Sequence, residues 1–231
     1  MPLVVVAALI ALGSSGPAPA ARVRVAPTQK LAVLLVAHGA RSAPSLRARL
    51  LEVVQPRRPL TGEQTALPVI GRARGPQGAV WLHVRLPGRP NGLTGWIRKR
   101  GTHARTTGWA VVVDLARRQV SVYQWGHEVR AFLAVVGQPS TPTPHGDFFV
   151  EESLRIIPGA AGAPYALALS ARSTVYQEFD GGPGQIAMHG IYGIGGRPGT
   201  AASHGCIRVD SGDMAWLGSR IGPGVPIIVV A

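Results

Sequence analysis

Glycine and proline interrupt this chain so often that few long helices fit into it: 30 Gly and 20 Pro fall among 231 residues. In a helix interior Gly costs about 1 kcal/mol and Pro about 3 kcal/mol relative to Ala. Both suit the tight turns between short strands. The segments between them are β-branched or alternate apolar with polar, so the chain reads as mainly β. With 46% hydrophobic and 15% charged residues it is globular, and an intrinsically disordered chain is excluded. The length suits one large domain or two small ones.

The first twenty residues stand apart. Leu3–Leu12 is an apolar run, followed by small residues and the triplet Ala18-Pro19-Ala20. An apolar core of that length reads as a secretion signal over 1–20, too short to span a bilayer. A short tether, Arg22–Gln29, follows. Residues 30–100 form a first small unit. Leu31–Val36 is an apolar run, and Ser45–Val54 has leucines at helical spacing that suit a strand equally well. Ala66–Ile70, Ala79–Leu86 and Leu93–Arg98 read as strands separated by Gly-Pro-Gln-Gly and Pro-Gly-Arg-Pro-Asn-Gly turns. Gly101–Thr107 reads as a linker. From 108 to 231 a second unit opens with three β-branched runs, Ala110–Asp114, Gln119–Gln124 and Val129–Val136, in an antiparallel meander. Asp210 or Ser211 caps one short helix running to about Ile221, and Val225–Val230 is a terminal strand.

Charge divides along the same line. The formal net charge is +13; residues 1–106 carry 16 Lys+Arg against 2 Asp+Glu, and residues 107–231 carry 8 against 9. A basic surface attracts anionic polymers; an arginine-rich codon bias accounts for the same excess equally well. Cys206 is the one cysteine, so no internal disulfide forms. In an exported protein a lone thiol is an oxidation liability, which favours a chemical role over an inert buried one.

The local sequence around that thiol carries the chemistry. Ser203-His204-Gly205-Cys206-Ile207-Arg208 follows His189-Gly190 across a glycine-rich stretch. Amide carbonyls are poor electrophiles, and a free thiol with a pKa near 8.5 is mostly protonated at neutral pH. An imidazole within hydrogen-bond reach takes that proton. No His/Cys/Asp/Glu spacing suggests a metal, and no cofactor is called for.

These residues, with Thr141–Phe149 (TPTPHGDFF) and the terminal Gly-x-x-Val strand, resemble the YkuD-type L,D-transpeptidase catalytic domain. The Trp81 and Gly95-Trp96-Ile97 strands similarly resemble the Src-homology-3-like barrels attached to wall enzymes, with Trp81 and Trp96 expected in the core. The fold implied is a β-sandwich catalytic domain with a short helix, preceded by a small β-barrel-like domain. By resemblance His189 is the base for Cys206. His204, read as lying on the opposite face from Cys206, is expected to support the site by hydrogen bonding. The Gly205 and Cys206 N–H groups are expected to hold the oxyanion. Four residues are assigned to substrate binding and its support. Arg208 holds a carboxylate or forms an ion pair with Asp210 or Asp213. Ser203 hydrogen bonds around the site. Tyr192 lines the donor channel or covers the core. Gly190 orients His189 through its carbonyl. His145 is expected at the surface.

The function implied is peptidoglycan L,D-transpeptidation through a Cys206 thioester, on the outer side of the cytoplasmic membrane. Stem peptides are the substrates, carbapenems the inhibitors, and anionic wall polymers possible partners of the basic half. A monomer without nucleic acid is expected. The alternatives are an L,D-carboxypeptidase or other wall cysteine peptidase, and a binding module without catalysis.

Overall fold

The computed structural model describes residues 23–179 and 181–231. The signal over 1–20 lies outside the described residues. Of the described chain, nearly all regular structure is strand, as the Gly/Pro punctuation implies.

Seven strands form the N-terminal sheet: β1 (Gln29–Leu34), β2 (His38–Arg41), β3 (Leu50–Val54), β4 (Ala66–Arg74), β5 (Val80–Arg85), β6 (Thr94–Arg98) and β7 (Thr102–Thr107). Their order is β3-β2-β6-β5-β4-β1-β7. The leucines of 45–54 do not make a helix. β3 begins at Leu50, and Leu46 is exposed. Trp81 is fully buried, whereas Trp96 is half-buried and stacks on the His83 ring at 4.6 Å.

The expected linker is itself a strand. β7 pairs with the whole of β1, from Gln29↔Thr107 to Leu34↔Thr102. Its polar side chains resemble a linker because it is an edge strand with most of its length in solvent. Three threonines give it strand propensity. Only Gly108 separates it from the next strand, so no slack segment joins the two units.

The second sheet contains β8 (Trp109–Asp114), β9 (Gln119–Gln124), β10 (His127–Leu133), β12 (Gly146–Arg155), β13 (Tyr165–Arg172), β14 (Gln185–Gly190), β16 (Ile207–Val209) and β17 (Pro226–Val230). A two-stranded pair, β11 (Val136–Gly137) with β15 (Ala201–Ser203), lies beside it. The meander β8-β9-β10 forms as expected. The C-terminal strand β17 enters the middle of the sheet, parallel to β8 and antiparallel to β12. The one helix, α1 (Ser211–Gly218), starts at Asp210, whose carboxylate accepts from the Gly212 N–H at 2.8 Å. Its Met214 and Leu217 are buried in the core behind β13 and β14.

Strand β12 joins the two units. Successive side chains of a strand point to opposite faces. Phe148 therefore packs into the core of the second sheet, and Phe149 into the core of the first, among Leu34, Leu67, Val84 and Ile97. The neighbouring Glu151 is buried between Arg58 of the first unit and Arg172 of the second, with Arg172 Nη1 at 2.8 Å. Thr61 and Glu63 bind Glu152 and the Ser153 N–H across the same junction. The two units thus share a buried interface.

Candidate active site

Parallel pairing of β14 with β16 builds the site. The register is Met188↔Ile207, His189↔Arg208 and Gly190↔Val209. Met188 and Ile207 are fully buried in the core. By strand alternation, His189 and Arg208 face the other way, and Cys206, one residue before β16, shares that face. His189, His204, Cys206 and Arg208 accordingly line one cavity of about 130 Å³, with Tyr176 and Phe179 also lining it.

The imidazole is held by its neighbour. His189 Nδ1 lies 2.9 Å from the Gly190 carbonyl, so the tautomer that donates there leaves Nε2 free to accept a proton. Glycine is required at 190 by close approach: a Cβ there would lie 2.0 Å from the Ala163 carbonyl oxygen. Burial holds His189 below the ordinary imidazole range; the Gly190 bond opposes this and the Arg208 charge adds to it. Burial pushes the Cys206 thiol above its ordinary range, while an Ala187 backbone hydrogen bond and Arg208 pull it back. Both shifts favour the neutral forms, an imidazole and a thiol.

The nucleophile loop is tied from below. The Ser203 hydroxyl donates to the Cys206 carbonyl at 2.5 Å and accepts from the Gly205 N–H at 3.2 Å. Ser203 is fully buried, so it braces the loop and does not reach the cavity. The Gly205 N–H, expected to face an oxyanion, is engaged by that hydroxyl. Gly205 itself has φ +115, a conformation L side chains rarely adopt. Its carbonyl accepts from the Thr143 hydroxyl at 2.9 Å, and Thr141 donates to the Ser203 carbonyl at 3.3 Å. Both threonines belong to the Thr-Pro-Thr-Pro turn, whose motif was visible in the sequence although its bracing role was not.

Three other placements differ from expectation. His204 lines the same cavity as Cys206, because the chain bends at His204-Gly205 and does not run extended through the segment. It is exposed, and its contact is with the Tyr176 ring at 6.2 Å, with no hydrogen bond. Tyr192 neither lines the cavity nor covers the core: it is 53% exposed, and Ile194 takes the lining position. Arg208 makes no ion pair with Asp210 or Asp213, which instead cap α1 and bind Arg130 at 2.7 Å. One Arg208 bond reaches the Gly195 carbonyl at 3.4 Å, and its Nε is buried without a partner. His145 is exposed, as expected. Sequence reasoning missed Tyr176 and Phe179, which reach the cavity from the β13–β14 connection, and Gln185 at the start of β14; none carries a motif. Among the described residues no cluster of three or more His, Cys, Asp or Glu is placed to hold a metal, and no helix is long and apolar enough to cross a membrane.

A thiol and an acceptor imidazole at one cavity, with a guanidinium beside them that has no acidic partner among the described residues, equip a cysteine-nucleophile enzyme. Residues 108–229 match the family model of the L,D-transpeptidase catalytic domain, YkuD, and the chain belongs to that family. No curated protein matches the chain. Similar solved structures include an Enterococcus faecium L,D-transpeptidase (22% identity, 53% of this chain and 49% of that one, TM-score 0.40). Another is an L,D-transpeptidase from Mycobacterium tuberculosis (19%, 72% and 90%, TM-score 0.44). A third is an LD transpeptidase in complex with imipenem (20%, 71% and 100%, TM-score 0.43). The chain spans about half the length of the Enterococcus faecium chain. The family model begins at 108 and does not extend to the N-terminal sheet, whose expected Src-homology-3-like kinship has no match here.

Proposed function

We propose that the protein cross-links peptidoglycan stem peptides by acyl transfer through Cys206, outside the cytoplasmic membrane. The observation that carries this reading is the β14–β16 register, which sets Cys206, His189 and Arg208 on one face of one cavity. The Cys206 thiol proton passes to His189 Nε2 as the sulfur attacks the carbonyl preceding the terminal D-residue. The Cys206 N–H is the remaining candidate donor for the oxyanion, since the Gly205 N–H is engaged. The C–N bond breaks, the departing amine takes the proton from His189, and a thioester remains. A side-chain amine of a second stem attacks the thioester, losing its proton to His189. The new amide forms and the proton returns to sulfur. Arg208, without an acidic partner among the described residues, binds a stem carboxylate through its planar fork.

The N-terminal sheet contributes a basic surface for anionic wall polymers. Its two acids, Glu52 and Glu63, lie at the junction with the second unit, while Arg41, Arg98 and Arg100 line a groove.

Intact-mass spectrometry after meropenem treatment tests the nucleophile. A single adduct on the wild type and none on Cys206→Ala is expected; an adduct on both removes Cys206 from the mechanism. Muropeptide analysis separates the outcomes of the thioester. Dimers indicate transpeptidation, and trimmed monomers alone would replace it with hydrolysis by water.

A further inference from the structure

Part of the cavity wall comes from the connection between β13 and β14. Tyr176 and Phe179 stand there, and the Tyr176 ring packs on both Phe179 and His204. Within the connection, the Ser173 N–H donates to the Gly184 carbonyl at 2.7 Å, closing its base. The Ser173 hydroxyl accepts from the N–H groups of Val175 and Tyr176.

The rest of its support comes from the N-terminal unit. Arg89 lies in the turn between β5 and β6. Its Nη2 donates to the Ser173 and Tyr176 carbonyls, and its Nη1 to the Pro183 carbonyl, each at 2.8 Å. Two residues on, Asn91 pairs with both backbone groups of Arg172, again at 2.8 Å in each direction. One guanidinium thus gathers three carbonyls spread over eleven residues of chain. Three convergent carbonyl dipoles repel one another unless a cation sits among them, and Arg presents donors in a planar fork suited to that task. Arg89 has no carboxylate partner among the described residues; its donors go to this connection. Glycine at 184 lets the strands of the connection close here, since a Cβ would lie 2.2 Å from the Tyr176 carbonyl oxygen.

We propose that Arg89 is a positioning residue for the acyl-transfer site: it fixes the Tyr176–Phe179 wall, and through the Tyr176 ring the His204 side of the cavity, against which the substrate is aligned. The N-terminal unit is on this view part of the active site's framework. The inference rests on the acyl-transfer reading for its kinetic consequence, and on geometry alone for its structural one. Arg89 is solvent-exposed and belongs to neither core, so its replacement hollows out no packing.

The test compares wild type, Arg89→Ala and Arg89→Lys in the full chain. Three quantities are measured: meropenem acylation of Cys206 by mass, alkylation of Cys206 by iodoacetamide, and hydrogen exchange across the β13–β14 connection. Acylation needs the aligned wall; alkylation by a small reagent needs only the thiol. In Arg89→Ala, acylation falls about tenfold, in keeping with the sensitivity of such reactions to small misplacements. Alkylation stays within about twofold, and exchange in the connection quickens. Arg89→Lys, which retains a cation with fewer fixed donors, falls between. Acylation unchanged within about twofold, or acylation and alkylation falling together, overturns the proposal. If Arg89→Ala does not fold, Arg89→Lys carries the same comparison. If the wild type takes no meropenem, the acyl-transfer reading fails, and unchanged exchange in Arg89→Ala independently removes the structural role of Arg89.

Discussion

Thr143→Val measures how far the fold braces the nucleophile. Thr143 is 3% exposed, and its hydroxyl serves two backbone groups: it donates to the Gly205 carbonyl at 2.9 Å and accepts from the Gly137 N–H at 2.8 Å. Valine keeps the shape and removes both bonds. An orphaned buried polar group costs about 1–3 kcal/mol, so two cost about 2–6 kcal/mol. A loss of about 3 kcal/mol lowers Tm by about 6–12 °C, at about 2–4 °C per kcal/mol for a chain of this size. Thr143→Ser is the control, since it keeps the hydroxyl and loses one methyl, worth about 0.8 kcal/mol. Urea unfolding followed by tryptophan fluorescence reads the stability, and mass spectrometry of the meropenem adduct reads the site. The freed Gly205 carbonyl adjoins Cys206, so acylation slows in the valine variant more than in the serine one. A valine variant as stable and as reactive as the serine variant refutes the bracing argument.

The pH profile of acylation carries a sign. Burial depresses the His189 pKa, so the neutral base survives as pH falls through about 6.5, the ordinary imidazole value, and the rate is lost only below it; an acid limb at or above 6.5 contradicts this assignment. His189→Ala lowers acylation by orders of magnitude, of which general-base loss alone supplies about 10²–10⁴; near-normal rates measured by mass would move the base to His204. Arg208→Lys raises KM for a carboxylate-bearing stem peptide about tenfold with kcat little changed, in line with a lost charged hydrogen bond of about 1.5 kcal/mol; steady-state kinetics with a peptide amide, which should show no such change, checks it. Phe149→Ala destabilises by about 3–5 kcal/mol although the residue lies in the catalytic segment, because its ring fills the N-terminal core. Calorimetry should show one lowered transition for both units, and a first unit left untouched would disprove the shared core.

Much of this protein is written locally. Turn chemistry and β-branched runs place β1, β5, β6, β8, β9 and β17 within two residues, since a strand's alternation and its Gly or Pro boundary are properties of adjacent residues, whereas β2, β13 and β16 carry no such local signal. Asp210 announces α1 because a cap acts on the N–H two residues away. The Ser-His-Gly-Cys-Ile-Arg segment identified the thiol and its family from residues adjacent in sequence. Side-chain facing depends on register, which the sequence leaves open. Pairing of β14 with β16 decided that His189, Cys206 and Arg208 share a face, and left Tyr192 outside. Residues 102–107 look like a linker until β1, some seventy residues earlier, pairs with them. Tyr176, Phe179 and Arg89 carry no motif, because their roles come from contacts between segments distant in sequence, and such contacts exist only once both sheets have formed and packed across β12.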